Sequence, residues 1–593
     1  MNKTLSKHVM IALMSGLALP IAAHAANDDL VKRIDALSRE IEQLKMQVNA
    51  NDQKASKAAA ELKSDAKQAG GKSLAKWLDV GGDYRFRVDS LRGETKLFTD
   101  VNATFANAQQ KLQADFFANP STAAGSSTYF GAPAAGSMST AGALSALMNF
   151  SQGMAAVRSI DQANAFVSNP ANAGLIAGIG GFAVPVAAYK PENSTLYTNR
   201  LGVDVHAKAT QDVTVNARFL MYKTFGAQDD KAITNSGNAP YFADRVGVFD
   251  GTLGHVPSSS YLNVDRAYAT LSNIADRDMW FSVGRRPSTN GAPSNVKLNN
   301  PRPGNGGTPS LLVDYAFDGM TLGYAPDIDG LPGAYGKVCY GRGFESGFRQ
   351  TPGNSLSDTD MLGIALIPID TDPLRVWLQW NRGFSIFDAP TMSNTYFGNT
   401  SAKINLGDIE WWGVGAMGTV KKVGPGNLNW FADVGMSVTH PNQNVSSQFG
   451  FQGLLTGAFF SPEAPTSKTG TAVALGLRYD LPSNTKLGVE YNHGSKNWIT
   501  FAPAADDMWT SKVGTRGNAY DFYLIQELDK KPVSSYFSKT FFRFGYQYYD
   551  FQYTGSNNWV GAPVKVSDVN GQMMTTTPLK NAHNLYATFE VKF

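Results

Sequence analysis

The 593-residue chain contains one cysteine, Cys339. A lone cysteine excludes an internal disulfide framework, a four-cysteine zinc site and a C-x-x-C-H haem attachment. Charge is also scarce. Asp, Glu, Lys and Arg make up 17% of the residues and the formal net charge is +3, too small for a nucleic-acid footprint. The hydrolase signatures G-x-S-x-G and H-E-x-x-H are missing, as are paired histidines at metal spacing, so no enzyme and no cofactor is expected. Apolar residues at 43% nevertheless exclude a wholly disordered chain.

The first 25 residues set a compartment. Lys3 and Lys7 precede an apolar run, Val9 to Ala23, that ends in Ala23-His24-Ala25. This is the n-region, h-region and A-x-A site of a signal peptide, with cleavage expected after Ala25. The run is too short to span a bilayer comfortably. Residues 26–66 follow as the only long helix-period stretch. Leu30, Ile34, Leu37, Ile41, Leu44 and Val48 form a heptad seam, which predicts a short coiled coil and a homo-oligomer, dimer or trimer. Residues 67–76 are a polar linker. Ala66 to Ser73 reads A-x-x-x-x-G-K-S, but it lacks the preceding buried strand that a phosphate-binding loop needs.

From Trp77 the pattern changes to period two. Tyr84, Phe86 and Val88 alternate with Asp83, Arg85, Arg87 and Asp89; Leu475 and Leu477 alternate with Gly476 and Arg478. One apolar and one charged face suits a soluble sandwich or a membrane barrel with lipid outside and water inside. Connection lengths separate the two. Short connections are expected at 210–212, 275–278, 317–319, 369–373, 421–427, 481–485 and 530–537. Long ones are expected at 91–195, 225–260, 287–310, 326–358, 384–407, 440–469, 495–517 and 554–582. Strict alternation of short turns and long loops is the outer-membrane pattern. It predicts an all-β, transmembrane antiparallel β-barrel of about 16 strands over residues 77–593, with 14 to 18 open. Both barrel ends then lie on the periplasmic side, beside the coiled coil. The last strand alternates Leu585, Ala587, Phe589, Val591 and Phe593 with polar residues, resembling the signal read by the barrel-assembly machinery. Aromatics in Phe541 to Tyr553 fit an interfacial girdle.

Five stretches carry a family resemblance: "GDYRFRVDSLRG" (Gly82–Gly93), "VDRAYATLSNI" (Val264–Ile274), "GRRPSTNGAPS" (Gly284–Ser294), "GTPSLLVDYAFDGMTLGYA" (Gly307–Ala325) and "CYGRGFESGF" (Cys339–Phe348). Together they resemble a family of porin-like outer-membrane proteins known only as a domain of unknown function. The resemblance is strongest over 77–370. It implies a barrel and an outer-membrane location, and brings neither a substrate nor a catalytic residue.

Three regions are candidates for function. Alternation places Arg85, Arg87, Arg200, Arg218, Arg375, Arg478 and Arg543 on the polar face, with Asp79, Asp83, Asp89, Asp204, Asp433, Asp480 and Glu490. Such charges either line a pore and set its ion preference or tie the wall together by salt bridges. The third loop, 287–310, is rich in Pro, Gly and Asn; folding inward, it would bring Arg285, Arg286, Lys297 and Arg302 to a constriction. The first loop, 91–195, is far longer than a typical loop. It is expected to be a plug or an external adhesive lid, with a helix within Leu97 to Phe117. His206 near Asp204 lacks a nucleophile, and Asp327 with Asp329, or Asp358 with Asp360, lacks the oxygen set of a calcium loop.

The expected function is passive diffusion of small hydrophilic solutes or ions through an outer-membrane porin, leaning towards anions. The alternatives are a barrel shell filled by partner cytochromes for electron transfer, and a structural or adhesive protein with a plugged barrel. Expected partners are membrane lipid, the solutes, the assembly machinery and further copies of the chain.

Overall fold

The computed structural model describes residues 77–118, 140–227, 262–286, 291–301, 311–348, 356–390, 392–395, 398–502, 506–528 and 539–593. The signal peptide, coiled coil and linker expected before Trp77 lie outside the described residues.

Sixteen strands close into one antiparallel barrel. They are β1 Leu78–Thr95, β2 Glu192–Lys208, β3 Val213–Thr224, β4 Leu262–Ser272, β5 Met279–Arg285, β6 Asp318–Tyr324, β7 Tyr335–Phe344 and β8 Thr359–Asp370. The second half comprises β9 Arg375–Phe387, β10 Asn405–Val423, β11 Gly426–Pro441, β12 Thr469–Asp480, β13 Thr485–Gly494, β14 Gly517–Glu527, β15 Lys539–Phe551 and β16 Leu579–Lys592. Each strand pairs with its chain neighbours. β16 closes on β1, from Asp83 opposite Lys592 to Glu94 opposite Asn581. Closure leaves no strand edge, which is how β-structure satisfies its backbone in lipid.

The faces are inverted relative to a soluble fold. Val434, Leu477, Phe522, Phe544 and Leu585 point outward and are 48%, 48%, 49%, 50% and 61% exposed, while Asp433, Asp521, Arg543 and Glu590 are buried inside. Outward aromatics gather in rows. Tyr491, Tyr520, Tyr548 and His583 succeed one another across β13–β16 at ring separations of 5.2, 6.2 and 4.9 Å. Near the other end of the wall, Phe542 packs on Phe589 at 5.1 Å. Two such rows are the interfacial girdles of a membrane barrel. Among the described residues no helix is long and apolar enough to cross a membrane.

Short turns and long loops alternate as the sequence led us to expect, except at one hairpin. Residues 317–319 are not a turn. Asp318–Tyr324 is β6, its turn is 325–334, and Tyr335–Phe344, expected within a loop, is β7. The apolar run 311–316, expected as a strand, belongs instead to the third loop. Leu311, Leu312, Val313 and Tyr315 are at most 4% exposed and pack in the barrel interior with Trp411, Trp498 and Phe501. One false strand and one missed strand cancel, so the count of sixteen stands. β7 carries Gly336, Gly341 and Gly343, which dilute its apolar alternation. The run at 311–316 is apolar because it is buried on all sides.

The first insertion spans 96–191. It contains α1 Val101–Ala118, α2 Thr140–Ala156, α3 Ile160–Ser168 and α4 Pro170–Ile179. Ser159 caps α3 through a capping box with Gln162, and Asn169 caps α4 with Pro170 at its first turn. Phe105, Phe150 and Phe166 meet Phe451, Phe459 and Phe460 of the sixth loop at 5.3–6.1 Å. Phe98–Asp100 forms a small sheet with Pro185–Val186 and Met573–Met574 of the last loop. The described contacts that its helices make outside the insertion are thus with other loops.

Candidate functional site: the charged lumen

Two loops turn inward. The third, 286–317, leaves β5 at the loop end and reaches the opposite, turn end of the wall. At its tip Lys592 Nζ donates to the carbonyls of Leu298 and Asn299 at 2.9 and 3.2 Å. Lys486 Nζ donates to Asn299 Oδ1 at 2.8 Å, and Asn299 Nδ2 donates to Glu527 at 2.8 Å. Lys486 and Glu527 stand beside turns, and Lys592 is paired with Lys539 at the same end of the wall. Asn299 adopts φ 53°, a left-handed conformation that asparagine tolerates better than most residues. Higher up, Arg543 donates to the Lys297 carbonyl at 2.8 Å and Arg478 donates to the Val296 carbonyl.

The loop is seated by apolar packing as well. Gly413 on β10 and Gly435 on β11 face Leu312. A Cβ at Gly413 would come within 2.7 Å of Leu312, and one at Gly435 within 2.9 Å of both Leu312 and Trp498. Both glycines make room for the third loop against the wall.

The seventh loop, 495–516, delivers Asp506, Asp507 and Lys512. Asp506 pairs with Arg85, lies 3.5 Å from Arg87 and 3.6 Å from Arg543, and accepts from Arg87 through its carbonyl at 2.9 Å. Burial opposes its charge, but Arg85, Arg87 and Arg200 outweigh burial and hold the carboxyl well below the usual carboxylate range. Asp507 accepts from Gln547 at 2.5 Å and lies 3.4 Å from Lys297. Lys297 also pairs with Asp521 at 2.5 Å. Lys512 joins Glu490 and Asp521, the latter at 2.8 Å. Burial works against the ammonium, yet Asp521, Glu490 and Asp507 keep its pKa well above the ordinary lysine value. The side of the lumen formed by β12–β16 and β1 is therefore a network of buried, mutually compensated charges.

Beside this network, at the turn end, the lumen is open. A cavity of about 600 Å³ lies between the wall of β1–β4 and the tip of the third loop, lined among others by Asp83, Arg200, Asp204, Arg218, Arg266 and Lys592. Arg200 donates to Asp83 at 2.7 and 3.0 Å. Arg218 bridges Asp83 and Asp204, the latter at 2.5 Å, with Asp265 at 3.6 Å. The Asp204 side chain is 48% exposed, so the cavity wall presents charge to solvent.

The remaining residues singled out from the sequence disperse. Arg87 pairs with Asp89 at 2.7 Å, Arg478 with Asp480 at 2.7 Å and Arg543 with Glu590 at 2.5 Å. Arg375 donates to the Tyr335 hydroxyl at 2.7 Å and lies 3.9 Å from Asp370. Arg285 ends β5 and reaches Asp318 at 3.3 Å. Arg302 lies outside the described residues. His206 meets Asn216 at 2.5 Å, and Asp358 and Asp360 both pair with Arg342, at 2.7 and 2.9 Å. Among the described residues no group of acidic, His or Cys side chains is arranged to hold a metal. Sequence reasoning missed Asp506, Asp507 and Lys512. The doublet Asp506-Asp507 in the apolar setting "FAPAADDMW" was the one available signal.

Closed strands, apolar outer face and charged interior define a membrane-spanning β-barrel. Residues 190–593, more than half of the chain, match the family described as a protein of unknown function, DUF3373, and the chain belongs to that family. The match begins after the first of the five stretches, Gly82–Gly93, takes in the other four, and extends to the last residue.

No curated protein matches the chain. Among solved structures it is similar to OmpT of Vibrio cholerae in its trimer form, with 11% identity, TM-score 0.35, and coverage of 87% of this chain and 99% of that one. It is also similar to OprB of Pseudomonas putida, with 10% identity, TM-score 0.37, and coverage of 88% and 95%. A third is the anion-selective porin from Comamonas acidovorans, with 8% identity, TM-score 0.35, and coverage of 87% and 99%. Similarity at this level carries no weight for function.

Proposed function

We propose that the chain is an outer-membrane porin-like channel through which small hydrophilic solutes or ions diffuse passively, leaning towards anions. The observation that carries this reading is the 600 Å³ cavity inside a closed barrel, walled by solvent-facing charge. Fixed charge at a narrow aqueous passage sets ion preference. On this reading the passage runs along β1–β7, and the third and seventh loops narrow it from the other side. Arg200, Arg218, Arg266, Lys539 and Lys592 stand along it, and Asp79, Asp83, Asp204 and Glu590 offset them only in part.

We also propose a homo-oligomer. β5 and β6 have seven residues each, whereas a strand that spans the bilayer needs about 9–11. That low stretch of wall is best covered by a second copy. The turns lie at the same end as the start of β1, which suits a periplasmic coiled coil.

The buried ion pairs of the third and seventh loops favour a second reading, a sealed barrel with a structural or adhesive role. A shell for partner cytochromes fits less well, because the chain's own third and seventh loops enter the interior. Conductance of purified protein in a planar bilayer, with the reversal potential under a KCl gradient, separates these readings. Steady conductance with an anion-leaning reversal potential is expected. Silence from folded, heat-modifiable protein would sink the channel.

A further inference from the structure

One arginine of the cavity wall is there because its strand breaks register. On β4, Arg266 lies opposite Arg218 and Val264 lies opposite Phe219, so Asp265 is an extra residue, a β-bulge. Val264 points outward and is 47% exposed. Strict alternation would send Arg266 outward with it. The bulge instead turns Arg266 inward, together with Tyr268 two residues on, and both line the cavity of about 600 Å³ at the turn end. Asn216, opposite Tyr268 on β3, lines it beside them.

The hydrogen bonds of this wall are unevenly spent. Arg200 donates twice to Asp83, Arg218 donates to Asp83 and Asp204, and Glu590 accepts from Arg543. Lys592 is held by the carbonyls of Leu298 and Asn299 and by Asn300. Arg266 has carboxylates near it, Asp265 at 3.3 Å and Asp204 at 3.9 Å, but its Nε is buried without a hydrogen-bond partner. Among the described residues the guanidinium donates no hydrogen bond, and its side chain is 23% exposed. The Tyr268 hydroxyl makes none either. Asn216 accepts at Oδ1 from the His206 ring, which leaves its amide hydrogens unused. The acidic groups of the wall are thus largely taken, Asp79 at the exposed turn end apart, and the groups left over beside Arg266 are donors.

Bulges recur where a side chain must be re-aimed beside a functional site. A guanidinium presents five donors in a planar fork that fits two oxygens of one anion, and a phenol and an amide can donate to what remains. We propose that Arg266, Tyr268 and Asn216 form a binding station for a small oxyanion, a carboxylate or a phosphate, in the cavity at the turn end. The inference rests on the channel reading and deepens it. A solute crossing the cavity pauses where the donors are unspent, and an acceptor-rich anion satisfies them better than a cation does. Arg200 and Arg218 support the station from the side by holding Asp83, and Asp204 in part, away from the ligand.

A thiol placed in the wall tests this without a current. His206 lines the cavity and is exposed, so His206→Cys in a Cys339→Ser background puts one reactive group beside Asn216. Folded full-length protein is treated with an uncharged methanethiosulfonate reagent, and modification is followed by mass spectrometry. Sodium acetate and sodium phosphate are each compared with sodium chloride at equal ionic strength, which holds screening constant. Slower modification in acetate, in phosphate or in both is expected, and the anion that protects tells a carboxylate site from a phosphate site. Arg266→Gln should abolish the protection. Should that variant fail to fold, Tyr268→Phe should raise the protecting concentration about fivefold, the scale of one hydrogen bond. No protection by either anion, or protection unchanged in these variants, would overturn the station. Protection in a protein without conductance sustains the station and removes the channel. Conductance without protection removes the station alone.

Discussion

Asp506 lies among Arg85, Arg87 and Arg543, and its removal takes the close carboxylate from buried Arg85, whereas Arg87 keeps Asp89 and Arg543 keeps Glu590. Breaking one partner of a buried pair costs about 3–5 kcal/mol. Asp506→Asn should therefore loosen the seventh loop and raise single-channel conductance, with the barrel still heat-modifiable on gels. The pH dependence follows from the same geometry. A carboxyl whose folded pKa is depressed contributes stability above its unfolded pKa of about 3.9 and loses it as pH falls through the folded value. The tie made by Asp506 should hold without change from pH 8 to about 4 and yield only in stronger acid. Conductance recorded against pH checks this; a transition near neutrality would contradict it. At this scale the sequence was partly legible. Alternation marks Arg85, Arg87, Arg375 and Arg543 as one face because period two is local, and these four are buried in the structure. Near partners such as Asp89 of Arg87 share the same face, but distant ones were invisible, since Arg85 and Asp506 are 421 positions apart.

The third loop is the element that divides the lumen. It is held by the lysines at its tip and by Leu312 against Gly413 and Gly435. Gly435→Ala would force Leu312 and Trp498 apart, an overpacking cost of about 1–3 kcal/mol. The expected result is a displaced loop, read as faster proteolysis within 291–301 and altered conductance. Deleting 291–301 should raise conductance several-fold. Deleting the helices of the first insertion should change it less, since their described contacts are with the sixth and last loops. If the second deletion opened the pore and the first did not, the insertion rather than the third loop would be the plug. The hairpin β6–β7 shows where sequence reading fails for an element. Apolar periodicity reports burial, and a loop buried inside a barrel satisfies it as well as a strand does.

The whole molecule is a wall with a low side. The outward Val283 on β5 is 45% exposed, on the stretch too short to span lipid alone. In a Cys339→Ser background, Val283→Cys should cross-link to a second copy under oxidation, whereas Leu585→Cys on the tall side should not. The reverse pattern would put the interface elsewhere. At this scale the sequence by itself determined the barrel, a strand number between 14 and 18, and which face meets lipid. Those follow from period-two alternation and from the spacing of turns, both local properties of the chain. Tertiary structure alone decided which loops enter the lumen, which charges are compensated there, and which wall stays open to solvent. Those depend on contacts between residues hundreds of positions apart, and they exist only after the strands have closed.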